Sequence, residues 1–99
     1  MIIIDQSSKI SPQVTISNDV EIGANCVIGS LIANQYGVII KEGAKIGSNV
    51  VIYPGLKRAT IIGNRAVIGD DCTIGEGSHI PDGYSVPPNT YIPDNSIIE

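Results

Sequence analysis

The chain has 99 residues, enough for one small domain, with 42% hydrophobic residues but no Phe, no Trp and one Met. Its apolar mass is Ile and Val, which favours strands over helices. Charged residues are sparse at 16% and sum to −4, which speaks against wrapping a nucleic-acid backbone. The start "MIIID" has no basic region and only three apolar residues in a row, so it does not read as a signal peptide. No apolar run approaches the roughly 20 residues of a membrane helix. These features point to a cytoplasmic protein without nucleic-acid or membrane partners.

From the first residues the chain keeps a period of six: Ile4, Ile10, Ile16, Ile22 and Ile28, then Ile40, Ile46 and Ile52. After an interruption it resumes at Ile62 and runs through Ile68, Ile74, Ile80, Val86, Ile92 and Ile98. Four residues after most of these positions comes a second, smaller residue, as in Val20, Cys26, Ala44, Ala66 and Cys72. One residue before that smaller one stands Asn, Asp or Gly in most repeats, including Asp19, Asn25, Gly43, Gly55 and Asp71. Those types tolerate positive φ and mark a corner. No helix has this period, and a plain two-faced strand alternates by two. Each hexad therefore reads as one short strand plus one corner with its large aliphatic residue inward. Three hexads close a triangular turn, and turns stack about 4.8 Å apart. The expectation is an all-β domain over 1–99, a solenoid of about five triangular coils.

The runs "EIGANCVIG" and "VIGDDCTIGEG" resemble the hexapeptide-repeat superfamily across nearly the whole chain. The resemblance implies a single-stranded left-handed parallel β-helix and a homotrimer. It also implies transfer of an acyl group from a coenzyme A-type thioester to a hydroxyl or amine, with acetyl-CoA or acyl-CoA as co-substrate rather than a resident cofactor. The segments "GVIIKEGAKIG", "VIYPG" and "RAVIGDDCTIG" are similar to serine and sugar acetyltransferases, stripped to the bare solenoid. Where those enzymes carry a histidine before the glycine of "YPG", this chain has Pro54, and Lys41 replaces another histidine. Fold is what such a motif specifies best; reaction is left open. A non-catalytic trimeric scaffold or anion-binding module is the alternative.

The beat breaks between Ile52 and Ile62, where four residues are in excess. The simplest repair is a short excursion at about 57–61, with Leu56 kept inward. Counting with that one excursion removed stacks Ile4, Ile22, Ile40, Ile62, Ile80 and Ile98 on one side. The outward residues of that side are Ile3, Glu21, Ile39, Ile61, His79 and Ile97. A stack of exposed isoleucines is rarely left wet, so the side bearing Ile3, Ile39, Ile61 and Ile97 is the expected trimer contact. His79 is the sole histidine and the candidate general base on that side. Lys57, Arg58 and Arg65 are candidate contacts for coenzyme A phosphates. Cys26 and Cys72 fall in small inward slots on different sides and read as buried thiols, and with one histidine no metal site is expected. Asn34 is a polar residue in an inward slot, by this register between Ile16 and Ile52.

In the final coil Pro81, Pro87 and Pro93 replace the residue that is glycine in many earlier repeats. Proline offers no backbone donor, so this coil reads as an end cap, with Tyr84 plugging the open end.

Overall fold

A computed structural model describes residues 1–29 and 36–98. Among them the chain forms two- and three-residue strands, all paired in parallel, that build three sheets. The first sheet stacks Ile3–Ile4, Glu21–Ile22, Lys45–Ile46, Val67–Ile68 and Ser85–Val86. The second stacks Lys9–Ile10, Val27–Ile28, Val51–Ile52, Thr73–Ile74 and Tyr91–Ile92. Val14–Ile16, Val38–Ile40, Thr60–Ile62 and His79–Ile80 form the third, which a bridge from His79 to Ile97 extends. The strands visit the three sheets in turn, giving four full turns of a parallel β-helix and two strands of a fifth.

Two repeating hydrogen bonds hold each coil on the next. Up to the last coil, the residue after an inward aliphatic donates to the inward residue one coil on: Gly23 to Ile46, Gly47 to Ile68 and Gly69 to Val86, at 2.8–2.9 Å. The outward residue donates to the carbonyl of the small slot, as Val51 does to Cys72 at 3.0 Å. Inside, Ile28, Ile40, Ile52, Ile62, Ile68, Ile74 and Ile80 are at most 1% exposed. Each such side chain contributes about 1.5–3 kcal/mol by burial, but only because its neighbours above and below bury it too. The glycine after the inward residue is needed where coils approach closely: a Cβ on Gly69 stands 2.6 Å from the Pro88 nitrogen.

Corners are made as the sequence suggests, by Asp19, Asn25, Asn49, Asp71, Asn89 and Asn95 at φ near 60° and by glycines such as Gly43 and Gly77. Arg65 also takes this conformation at φ 57°, a costly one for its residue type. Gly55 is absent from the positive-φ positions. It is required for another reason: a Cβ there would overlap the Arg58 carbonyl.

The register differs from the simple count in two places. Ile28 pairs with Ile52, six residues more than a full turn, and residues 30–35 lie in that interval. Ile16 consequently pairs with Ile40, not with position 34; Asn34 itself lies outside the described residues. The second interruption is the one seen in sequence, but it ends earlier than expected. Thr60 and Ile61 belong to a strand, paired with Val38 and Ile39, so the loop is 54–59. Leu56 is 55% exposed, and fully buried Thr60 takes the small inward slot instead. A hydroxyl there does what an aliphatic cannot. It donates to the Tyr53 carbonyl at 2.7 Å and accepts from the Gly77 N–H at 2.8 Å, closing the loop at its neck.

Both thiols are buried at 1% exposure, yet they share a side: each precedes a strand of the second sheet, with Val50 in the coil between them. Each donates to a carbonyl one coil on, Cys26 to Gly47 at 3.0 Å and Cys72 to Pro87 at 3.1 Å. Tyr84 does not plug the end, being 37% exposed. The inner cross-section is already filled by Val86 and Ile92.

Acidic residues of the later coils serve as corner ladders. Asp70, Asp82 and Asp94 accept the backbone N–H of Ser48, Asn64 and Glu76 in the coil before, at 2.7–3.1 Å. The Asn64 N–H and side-chain amide, helped by Lys41 and Arg65, hold the Asp82 carboxyl below its ordinary range. The carboxylate's contribution is therefore present above the unfolded-state value near ~3.9 and is lost as pH falls through the lower folded value. Thermal melts should show stability falling below about pH 4, and Asp82→Asn should flatten that part of the profile.

Pro81, Pro87 and Pro93 sit where every earlier coil places its upward donor, so the last coil presents no N–H at these three positions. Replacing all three by Thr should leave the coils folded but promote end-to-end association. Sedimentation velocity at rising concentration reads the outcome, with the wild type unchanged and the variant growing in mass.

Candidate functional site

His79 lies on the outer face of the third sheet. Its backbone is fixed on both sides, its N–H donating to Ser96 at 2.8 Å and its carbonyl accepting from Ile98 at 3.3 Å. The column through it runs Thr15, Ile39, Ile61, His79 and Ile97. Ile39, Ile61 and His79 are half-buried, and Ile97 is exposed. Ile3 does not belong to this stack. It pairs with Glu21 on the first sheet, beside Lys45, because the six extra residues between Ile28 and Ile52 move the early coils round by one side. Of the four isoleucines expected beside His79, three remain, and Thr15 joins the column.

The 54–59 loop stands on the corner that leads from the second sheet into the third. Gly55 pairs with Gly37 in an antiparallel bridge, and Tyr36 donates to the Gly55 carbonyl at 2.9 Å. From this anchored loop Arg58 reaches toward the C-terminal coils. Its Nε donates to the Gly77 carbonyl at 2.9 Å and one Nη to the Asn95 carbonyl at 3.2 Å. Gly77 lies two residues before His79, so the guanidinium braces the corner that delivers the imidazole. Lys57 is exposed on the same loop.

Arg65 is not part of that group. It occupies the corner where the third sheet gives way to the first, near Lys41 and Asp82. The three candidate cations therefore divide, Lys57 and Arg58 on one flank of the His79 face and Arg65 on the other. The three are close in number, yet a full strand of the third sheet lies between them.

Two concavities escaped the sequence reading. A shallow depression of about 440 Å³ follows the first sheet over Ile3, Glu21, Lys45 and Val67, with Asp70 and Pro88 at its edge. A groove of about 330 Å³ crosses the second sheet, lined by Tyr53, Thr73, Glu76, Tyr91 and Asp94. The register of the first depends on both interruptions, that of the second on the 54–59 loop alone. Among the described residues no three His, Cys, Asp or Glu side chains group as metal ligands, and no helix is long and apolar enough to cross a membrane.

No protein-family model and no curated protein matches the chain. Solved structures do. A histidine-to-asparagine variant of perosamine N-acetyltransferase from Caulobacter crescentus, in complex with CoA and GDP-perosamine, aligns with TM-score 0.57 and 20% identity, over 97% of this chain and 51% of its own. A histidine-to-alanine variant of GDP-perosamine N-acetyl transferase from the same organism, also with CoA and GDP-perosamine, aligns at 22% identity over the same shares with TM-score 0.41. The chain spans about half the length of these structures. At this identity the likeness is one of fold alone: a parallel β-solenoid.

Proposed function

We propose that the chain is a minimal hexapeptide-repeat acyltransferase, moving an acetyl or larger acyl group from a coenzyme A thioester to a small molecule. The acceptor group is a hydroxyl or an amine, carried by a sugar or an amino acid. One observation carries this reading. The only imidazole of the sequence stands on a sheet face between Ile61 and Ile97, with cations on both flanks and its supporting corner braced by Arg58. The fold shared with an acetyltransferase that binds CoA supports it.

In this reading His79 accepts a hydrogen bond from the acceptor N–H or O–H. As the acceptor lone pair attacks the thioester carbonyl, the imidazole takes the proton; the new C–N or C–O bond forms, the C–S bond breaks, and the leaving thiolate recovers the proton. Lys57 and Arg58 on one flank and Arg65 on the other attract the phosphates. The cleft itself needs a second wall. A homotrimer packed through Ile39, Ile61 and Ile97 supplies it and removes those side chains from water. Coenzyme A chemistry also fits a cytoplasmic location.

A second reading, a non-catalytic trimeric scaffold or anion-binding module, is favoured by one feature. The Arg58 guanidinium already has two backbone partners and so serves as a staple. Calorimetric titration with acetyl-CoA separates the two, since only the enzyme reading requires thioester binding. With binding established, thiol release in the presence of amino sugars or amino acids should show turnover. His79→Ala should lower it by about 10²–10⁴-fold, with the melting temperature and thioester KM little changed.

The assembly has its own test. Light scattering of the wild type should give the mass of three chains, and Ile39→Lys should dissociate the assembly by placing a charge in the contact. A stable wild-type monomer would exclude the trimeric cleft.

A further inference from the structure

The chain has four aromatic residues, all tyrosine, and every one is at least 37% exposed. The core is complete without them, so their rings are free for surface roles. Two of them, Tyr53 and Tyr91, border the groove on the second sheet, at 50% and 63% exposure. Thr73 forms its floor as the strand partner of Tyr91 and Val51. Glu76 and Asp94 close it on the corner side.

Each wall is held rigidly. Tyr53 donates its N–H to Ile74 at 3.0 Å, while its carbonyl accepts the buried Thr60 hydroxyl at 2.7 Å. Glu76 is pinned through its N–H to Asp94 Oδ1 and through its carbonyl to the Asn95 N–H. The rings belong to coils two steps apart, and Thr73 to the coil between. A group at the level of Thr73 therefore lies about 4.8 Å from the level of each tyrosine. Tyr53 stands two residues beyond Val51, the partner of Thr73, so the two tyrosines line the groove at different points along it.

Carboxylates line the groove itself, and the Arg58 guanidinium lies outside its lining, at the corner end on the Gly77 and Asn95 carbonyls. Among the described residues neither Glu76 nor Asp94 has an ion-pair partner, and Asp94 uses one oxygen for the Glu76 N–H. No Lys or Arg follows Arg65 in the chain. On the neighbouring loop Lys57 is exposed, and the Arg58 guanidinium is turned to the carbonyls of Gly77 and Asn95. Two carboxylates beside two aromatic faces repel an anion and suit a positive group with an apolar skin. The volume of about 330 Å³ fits a small molecule.

We propose that this groove is a binding site for a small organic cation, a primary or quaternary ammonium group held between the Tyr53 and Tyr91 rings and neutralised by Glu76 and Asp94. The site lies on the second sheet and His79 on the third, so it does not rest on the acyltransferase reading.

The test titrates choline, its neutral isostere 3,3-dimethylbutan-1-ol and glucose into the protein, following the tyrosine ring protons by NMR. Choline should shift the Tyr53 and Tyr91 signals and leave Tyr36 unmoved, with a dissociation constant of about 1–10 mM. Tyr91→Leu and Glu76→Gln, both at surface positions, should each weaken it about three- to tenfold with unchanged melting. Equal binding of the neutral isostere would overturn the proposal, since the groove would then be merely apolar. So would binding of glucose alone, choline binding that survives both substitutions, or no shift at 50 times the upper expected constant.

Discussion

The coil-to-coil hydrogen bond from the residue after an inward aliphatic is the constraint on which the rest depends. It fixes the stacking distance and the register together. With that bond in place, Ile46 covers Ile22 and is covered by Ile68, and each is shielded from water by its neighbours along the helix axis. A parallel strand of two residues would be worthless alone. Stacked, it buries an isoleucine almost completely. The same logic sets the ends. Ile4 remains 38% exposed because no coil precedes it among the described residues, while Ile80 within the stack is fully buried.

A ladder of this kind tolerates extra residues only if they leave before the next inward position and return to it. The 54–59 loop does so through Thr60, which joins the loop neck to the following coil with two hydrogen bonds from one buried hydroxyl. Gly55 lets the backbone double back against Arg58, and Arg58 in turn spans to Gly77 and Asn95. The loop is thus fastened along the axis, across the coils that carry His79 and Ile97. An insertion that looks in sequence like a disturbance acts in the fold as a brace for one sheet face.

Core and surface make different demands on the same hexad. Inward slots accept little besides Ile and Val, or small residues that can also donate to a carbonyl, as Cys26, Cys72 and Ser78 do. Outward positions face no such limit, and there the three sheets diverge. One carries an opposite-charge pair between aliphatics, one tyrosines beside carboxylates, and one isoleucines around a histidine. Much of the acidity of the later coils belongs to structure, since Asp70, Asp82 and Asp94 satisfy backbone donors at the corners.

The sequence by itself determined the hexad, the inward isoleucines, most corners, the proline-rich end and the burial of both thiols. Each of these is a local requirement repeated many times, so the period reveals it. What the sequence could not determine was which faces lie side by side. A residue's side is its position counted in turns, and one unrecognised interruption rotates every earlier coil. Here the pairing of Ile16 with Ile40 and of Ile28 with Ile52 departs from the simple count by six residues. Tertiary pairing then decided that Ile3 leaves the His79 face, that Arg65 parts from Lys57 and Arg58, and that Cys26 and Cys72 share a side. It also brings Tyr53 and Tyr91 to the lining of one groove. Local chemistry fixes the shape of each coil; only the hydrogen-bonded register between coils fixes what stands next to what.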